Sequence, residues 1–145
     1  MGAAMAPAAA ATLEDFLRDT KTKPEDYDLI LTGDLGEIGS KLMKEILGRN
    51  GIILKENHKD CGLLIYDQKA QDVHAGGSGC GCSASVLCSI ILNKLKNNEL
   101  KNILFIATGA LMSPTSSQQG ESIPSIAHLI NIKSTIDTKG SIVAD

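Results

Sequence analysis

The chain has 145 residues, 43% hydrophobic and 21% charged, with a formal net charge of −3. That length supports one ordinary domain with a real core, and the balance excludes fibrous and disordered chains. An acidic net charge leaves no basic footprint, so no nucleic acid is expected as a partner, and no apolar run approaches a membrane span.

In chain order, Pro7 opens a predicted helix in which Ala10, Leu13 and Phe16/Leu17 recur at helical spacing to about Asp19. The Ala-rich start lacks the basic region of a signal peptide, and Ala6 stands where a myristoylation signal needs Ser or Thr. After the polar connector "KTKPED", "YDLILTG" (Tyr27–Gly33) reads as a buried strand closed by glycine. Ile38, Leu42 and Ile46 then mark a second helix, with Gly48 and Gly51 as stops. "CGLLIYD" is a short strand candidate.

The glycine-rich stretch "DVHAGGSGCGCS" leads into a third helix. Its expected face is Ala84, Leu87, Cys88, Ile91 and Leu95, widened by Val86, Ile90 and Leu92, which predicts burial between two layers. "KNILFIATGAL" reads as a fully buried strand ending in a small-residue turn. "SPTSSQQGES" reads as an irregular loop and "IPSIAHLINI" as a last strand, with a polar tail over residues 134–145. The order αβαβαββ predicts an α/β fold: a mixed, mostly parallel sheet with helices on both faces, over residues 1–133. Opening within a helix, such an alternation lacks its first strand, which predicts a truncated start.

Cys61, Cys80, Cys82 and Cys88 do not form a disulfide framework, because three cluster and the core needs no staple. A reducing compartment is expected. His74, Cys80, Cys82 and Cys88 could supply soft metal ligands, but no C-x₂-C pair is present and Cys88 is expected to face the core, so no metal is expected. Cys80 or Cys82 at a helix N-terminus could be an activated thiolate with His74 as base; the bland alternative is small residues in a crowded turn. Anion binding is the third reading, since the amides around Gly77, Ser78, Gly79 and Cys80 would point with the helix dipole at one spot. Close helix–strand packing would demand the same glycines. Gly33 with Asp34, and Thr108 with Gly109, mark further strand ends. In open α/β sheets ligands lie outside the carboxyl ends of strands, so these segments predict one shared pocket. His58 and His128 read as structural or exposed.

In order, "YDLILTGDLGEIGSKLM", "HAGGSGCGCSASVL", "FIATGALMSP" and "GESIPSIAHLINI" resemble the second half of the stage V sporulation protein AD family, within the thiolase-like superfamily. The resemblance implies one half of an αβαβα sandwich whose partner half is missing. It implies a soluble subunit that binds dipicolinic acid (pyridine-2,6-dicarboxylate), alone or as its calcium chelate, with no cofactor. Its setting would be the spore inner membrane, held peripherally beside other subunits of a complex that takes up calcium dipicolinate in sporulation and releases it in germination. A partner for the open half is expected too, either the missing N-terminal half or a second copy. Against condensing enzymes, Gly33 stands where a His is usual, and Ala107 or Thr108 replaces a cysteine. His74 matches a second polar position in one register, and Cys80 or a neighbour does in another. The resemblance therefore implies a binder and not an enzyme. The alternatives are a thiolase- or ketoacyl-synthase-like acyltransferase and a scaffold subunit without a ligand.

Overall fold

The computed structural model describes residues 1–111 and 113–134; of the expected polar tail, all but Ser134 lies outside the described residues. Helix α1 (Gly2–Thr20) is followed by strand β1 (Leu29–Thr32), helix α2 (Gly36–Arg49), strand β2 (His58–Asp60) and a helical turn α3 (Cys61–Leu64). A rod then runs through α4 (Cys82–Val86), a π-helical turn (Leu87–Ile91) and α5 (Leu92–Lys96). Strand β3 (Asn102–Ala110), a short helix α6 (Pro114–Gln118) and strand β4 (Ser125–Lys133) complete it.

The sheet order is β2-β1-β3-β4, with β1 parallel to both neighbours and β4 antiparallel to β3. Apolar runs in β1 and β3 are buried on both faces, as parallel strands require. Ile30, Leu104 and Ile106 pack under α1 and α2 with Leu13, Met43 and Leu47. Leu29, Leu31, Ile103 and Phe105 pack under the rod with Val86, Ile91 and Leu95. This is the mixed, mostly parallel α/β sheet expected from the sequence, with helices on both faces and in keeping with a thiolase-like half.

Several elements differ from expectation. α1 begins at Gly2 and carries Pro7 inside it, because the N-terminal turns pack closely on α2. There a Cβ on Gly39 would stand 2.7 Å from the Gly2 carbonyl oxygen, so the contact admits only glycine. That contact rotates α2: Gly39, Ser40, Met43 and Leu47 are buried, while Ile38, expected to face the core, is 63% exposed.

"CGLLIYD" is not a strand. The strand is the preceding His58–Asp60, and Cys61–Leu64 turn away helically so that Gly62 can meet the loop at Gly77. The third helix is not apolar all round. Its buried residues are Cys82, Val86, Ile91 and Leu95, and the longer step from Val86 to Ile91 spans the π-helical turn. An inserted residue there moves the core face by one position. Cys88, Ile90 and Leu92 consequently face outward, which removes the two-layer burial expected for this helix. β3 also continues through the expected small-residue turn, since Thr108 and Gly109 pair with Ala127 and Ile126. Residues read as an irregular loop contain α6, started by Pro114 and capped by the Ser113 hydroxyl.

Candidate functional site

The carboxyl ends of β1 and β3 meet the glycine loop at one side chain, Asp34. Its Oδ2 accepts hydrogen bonds from the Ser78 hydroxyl at 2.8 Å and the Gly79 amide at 3.1 Å. Its Oδ1 accepts from the Thr108 hydroxyl at 2.9 Å, and the Asp34 amide donates back to the same oxygen of Thr108 at 2.9 Å. Gly33 makes this junction passable: a Cβ there would stand 2.9 Å from the Thr108 amide nitrogen. The strand ends at Gly33–Asp34 and Thr108 thus meet Ser78 and Gly79 of the loop in one hydrogen-bonded cluster.

The polarity of the cluster differs from the expected cradle of free amides. Gly79 gives its amide to Asp34, Gly77 donates to the Gly62 carbonyl at 2.7 Å, and Cys82 donates to the Gly79 carbonyl. The amides of Ser78, Cys80 and Gly81, all in exposed residues, have no hydrogen-bond partner among the described residues. A fixed carboxylate thus sits beside a short row of open donors.

His74 is not part of the cluster. It is exposed, with a left-handed φ of 47°, and its Nδ1 lies 3.5 Å from the Asp72 carboxylate. The polar side chains that carry the loop are Ser78 and Asp34 instead. Gly109 pairs in the sheet opposite Ile126 and takes no part either. Among the described residues no group of three His, Cys, Asp or Glu gathers to hold a metal, and Cys88 and Cys82 point to solvent and core respectively. The thiols differ sharply in setting. Burial, with the charges of Asp34 and Asp60 added, pushes the Cys82 thiol up, and burial pushes Cys61 up to about 12. A helix N-terminus does not activate Cys82, because desolvation of the thiolate outweighs the dipole. Cys80 is exposed.

A second carboxylate, Asp60, holds the site in place. It is 1% exposed and accepts from the Thr32 hydroxyl at 2.6 Å and from the amides of Leu35 and Gly36 at 2.9 Å each. Those amides begin α2, so Asp60 fills the role of a helix cap from a neighbouring strand. Burial holds its carboxyl above the usual carboxylate range, opposed by the hydrogen bonds from Thr32, Gly36, Leu35 and Gly62. Nothing in the sequence singled it out; the available signal was an acid ending a strand before two small residues, "KDCG".

A family model described as Stage V sporulation protein AD (SpoVAD) matches residues 1–133. The chain is 52% identical over 128 residues to Stage V sporulation protein AD of Bacillus subtilis (strain 168), covering 88% of this chain and 38% of the relative. The chain belongs to the stage V sporulation protein AD family. It spans well under half of that curated relative, so the whole protein's activity and partners are not carried over with the membership. The match contains every residue of the Asp34 cluster, which places that cluster within the part shared with the family. No described helix of this family member is long and apolar enough to cross a membrane.

Beside Asp60, buried His58 shares the Thr32 hydroxyl at 3.3 Å from its Nε2. Burial first, then Lys44 and Lys59, pushes the imidazole down to about 4 from 6.5. A depressed histidine pKa means the unfolded chain takes up the proton first. Stability from this group is therefore whole above pH 6.5 and is lost as pH falls toward 4, by about 3 kcal/mol at the limit. Asp60, shifted upward, acts in the opposite sense in acid. Urea unfolding of the native chain and of His58→Gln at a series of pH values isolates the histidine: the native midpoint should fall more steeply below pH 6.5 than the variant's. Parallel curves would remove His58 from the acid response.

Proposed function

We propose that this chain carries part of the ligand site of a dipicolinate-binding sporulation protein, and that the Asp34 cluster receives the ligand as its calcium chelate. The observation that carries this reading is the pairing of the open Ser78, Cys80 and Gly81 amides with a carboxylate fixed among them. Backbone donors at the start of a helical rod suit a carboxylate group. The fixed charge of Asp34 repels a free dicarboxylate, but an oxygen of Asp34 can join the shell of a calcium ion that arrives with it, since calcium takes carboxylate oxygens readily.

Isothermal titration of the chain with dipicolinate, with and without equimolar calcium, tests the proposal. Binding is expected to be tighter with calcium, and Gly81→Leu should weaken it. Gly81 has an ordinary backbone conformation and nothing within 4 Å of a built Cβ, so the change crowds the donors without straining the fold. Gly79 is unsuitable, because its φ of 128° would strain any side chain. Absence of heat with either form, or a Gly81→Leu variant binding as well as the native chain, overturns the assignment.

The same reading makes the site a binder without turnover. Acyl transfer needs an activated nucleophile, and the shift on Cys82 runs the wrong way. Alkylation followed by mass spectrometry should label Cys80 and Cys88 in the folded protein and Cys61 and Cys82 only after denaturation. Fast labelling of Cys82, or an acyl adduct on Cys80 after incubation with acyl-coenzyme A, would favour the acyltransferase reading. Ile90 and Leu92 of the rod, both about two-fifths exposed on either side of the buried Ile91, leave apolar surface for the half that family-length chains add or for a second copy. Placement at the spore inner membrane, held peripherally by the other subunits of the complex, completes the proposal.

A further inference from the structure

Strand β4 ends the sheet on one side, and among the described residues no strand lies beyond it. Its ladder to β3 is flanked by two bonds, from the Ser134 amide to the Lys101 carbonyl and from the Leu111 amide to the Pro124 carbonyl. Hydrogen-bonded and non-hydrogen-bonded pairs alternate between antiparallel strands. With Asn102 opposite Lys133, the even-numbered residues of β4 therefore bond to β3. Ser125, Ala127, Leu129 and Asn131 turn their amides and carbonyls to the outer edge. One of these groups has a contact there: the Ala127 carbonyl accepts from the Thr12 hydroxyl of α1 at 2.9 Å, which leaves the oxygen a second lone pair.

Edge strands are normally guarded by a proline, a bulge or a charge in mid-strand. The nine-residue register of β4 has no break, the strand contains no proline, and its one Lys, Arg, Asp or Glu is Lys133 at the very end. Ile126 and Ile130 stand 52% and 53% exposed. The sequence Ser-Ile-Ala-His-Leu-Ile-Asn (125–131) also has the same polarity read from either end. Folded antiparallel on itself about His128, it sets Ile126 against Ile130, Ala127 against Leu129 and Ser125 against Asn131. Centring on Leu129 instead opposes Ala127 to Asn131 and His128 to Ile130, so one register alone matches apolar with apolar on both faces.

We propose that a second copy of this chain adds its β4 to this edge, antiparallel and about a two-fold axis at His128. Such an isologous contact uses one patch twice and closes at the dimer. The outward amides and carbonyls of Ala127 and Leu129 pair with those of Leu129 and Ala127 in the other copy. A strand of unrelated sequence would gain the backbone bonds alone, whereas a second copy adds matched cross-strand pairs. Helix α1 leaves room for it. Thr12 marks the flank of α1 that overhangs the edge, and Ala8 and Ala4 lie one and two turns before it on the same line. Small side chains there let the two copies of α1 lie alongside each other at close helix-packing distance. The dimer needs neither calcium nor dipicolinate.

Sedimentation equilibrium across a concentration series should show a monomer–dimer equilibrium. His128→Asp, at an exposed position, sets two carboxylates face to face at the axis and should weaken the dimer at least about tenfold. Leu92→Asp on the rod should leave it unchanged. Cysteine cross-linking reads the register, in a Cys80→Ser, Cys88→Ser background that removes the exposed thiols. There His128→Cys should cross-link to itself on mild oxidation, because opposed residues of a non-hydrogen-bonded pair stand about 4.5 Å apart at Cα, within disulfide reach. Ile126→Cys should cross-link only when mixed with Ile130→Cys. A monomer at every concentration would leave the edge to a strand from the rest of a family-length chain, and a dimer abolished by Leu92→Asp would put the contact on the rod. Either result, or self-cross-linking of Ile126→Cys, overturns the proposal.

Discussion

Asp60→Ala is expected to destabilise the chain by about 3–5 kcal/mol, more than any other single change at a polar residue considered above, because it leaves several buried donors without a partner. The Thr32 hydroxyl and the amides of Leu35 and Gly36 all lose their acceptor in one step. Asp60 itself is 1% exposed, so its three donors are shielded from solvent in the native fold. The measurement is urea unfolding followed by circular dichroism. Asp60→Asn supplies a second reading where the alanine variant fails to fold. It keeps the shape and one acceptor oxygen, yet presents an amide donor to groups that are donors already, so an intermediate loss is expected. Hydrogen exchange should show where the damage falls: the amides of Leu35 and Gly36 should exchange faster in the variant, ahead of those in β3. A variant as stable as the native chain would mean that α2 holds its own N-terminus and that Asp60 caps nothing.

That dependence explains the division between what could be read in the sequence and what could not. Leu29–Thr32 and Ile103–Ile106 announce themselves as strands because both faces of each are apolar, and two-sided burial leaves a local pattern. The meeting of Gly33–Asp34, Ser78–Gly79 and Thr108 was legible as well. Glycine at the end of a strand marks close approach, and three such marks in an α/β order converge at one edge.

The failures have a common origin in longer-range geometry. The π-helical turn at Leu87–Ile91 inserts a residue without altering composition, so a 3.6-residue count assigned Cys88 to the core that Val86 and Ile91 occupy. Ile38 faces solvent, against its helical spacing, because the orientation of α2 is set by Gly39 meeting Gly2, a contact between segments far apart in the chain. Asp60 leaves no mark in the sequence, since a lone acid carries no periodic signal; only the fold reveals what it faces. His74 has the chemistry for a polar role, but with a left-handed backbone it lies beside Asp72, and Ser78 makes the polar contact instead.

Asp34→Asn is expected to reverse the ligand preference proposed for the cluster, and the reversal is a sharper test than any loss of binding. In the native chain the carboxylate takes three hydrogen bonds, from Ser78, Gly79 and Thr108, and still bears a full negative charge beside the open amides. Asparagine keeps an oxygen for some of these donors while removing that charge, so the junction of β1, β3 and the loop should hold. A dicarboxylate approaching to about 5 Å would gain roughly 3 kcal/mol from losing that repulsion at an effective dielectric near 20, less where solvent screens it. Free dipicolinate should therefore bind the variant about ten- to a hundredfold more tightly than it binds the native chain. The calcium chelate should lose affinity over a similar range, because the ion loses a carboxylate ligand. Calorimetry on both proteins with both ligand forms yields four affinities, and the proposal requires the two ratios to move in opposite directions. Ratios moving together would show that Asp34 shapes the loop without facing the ligand. The binding site would then have to be built from Cys80, Gly81 and groups that the rest of a family-length chain brings.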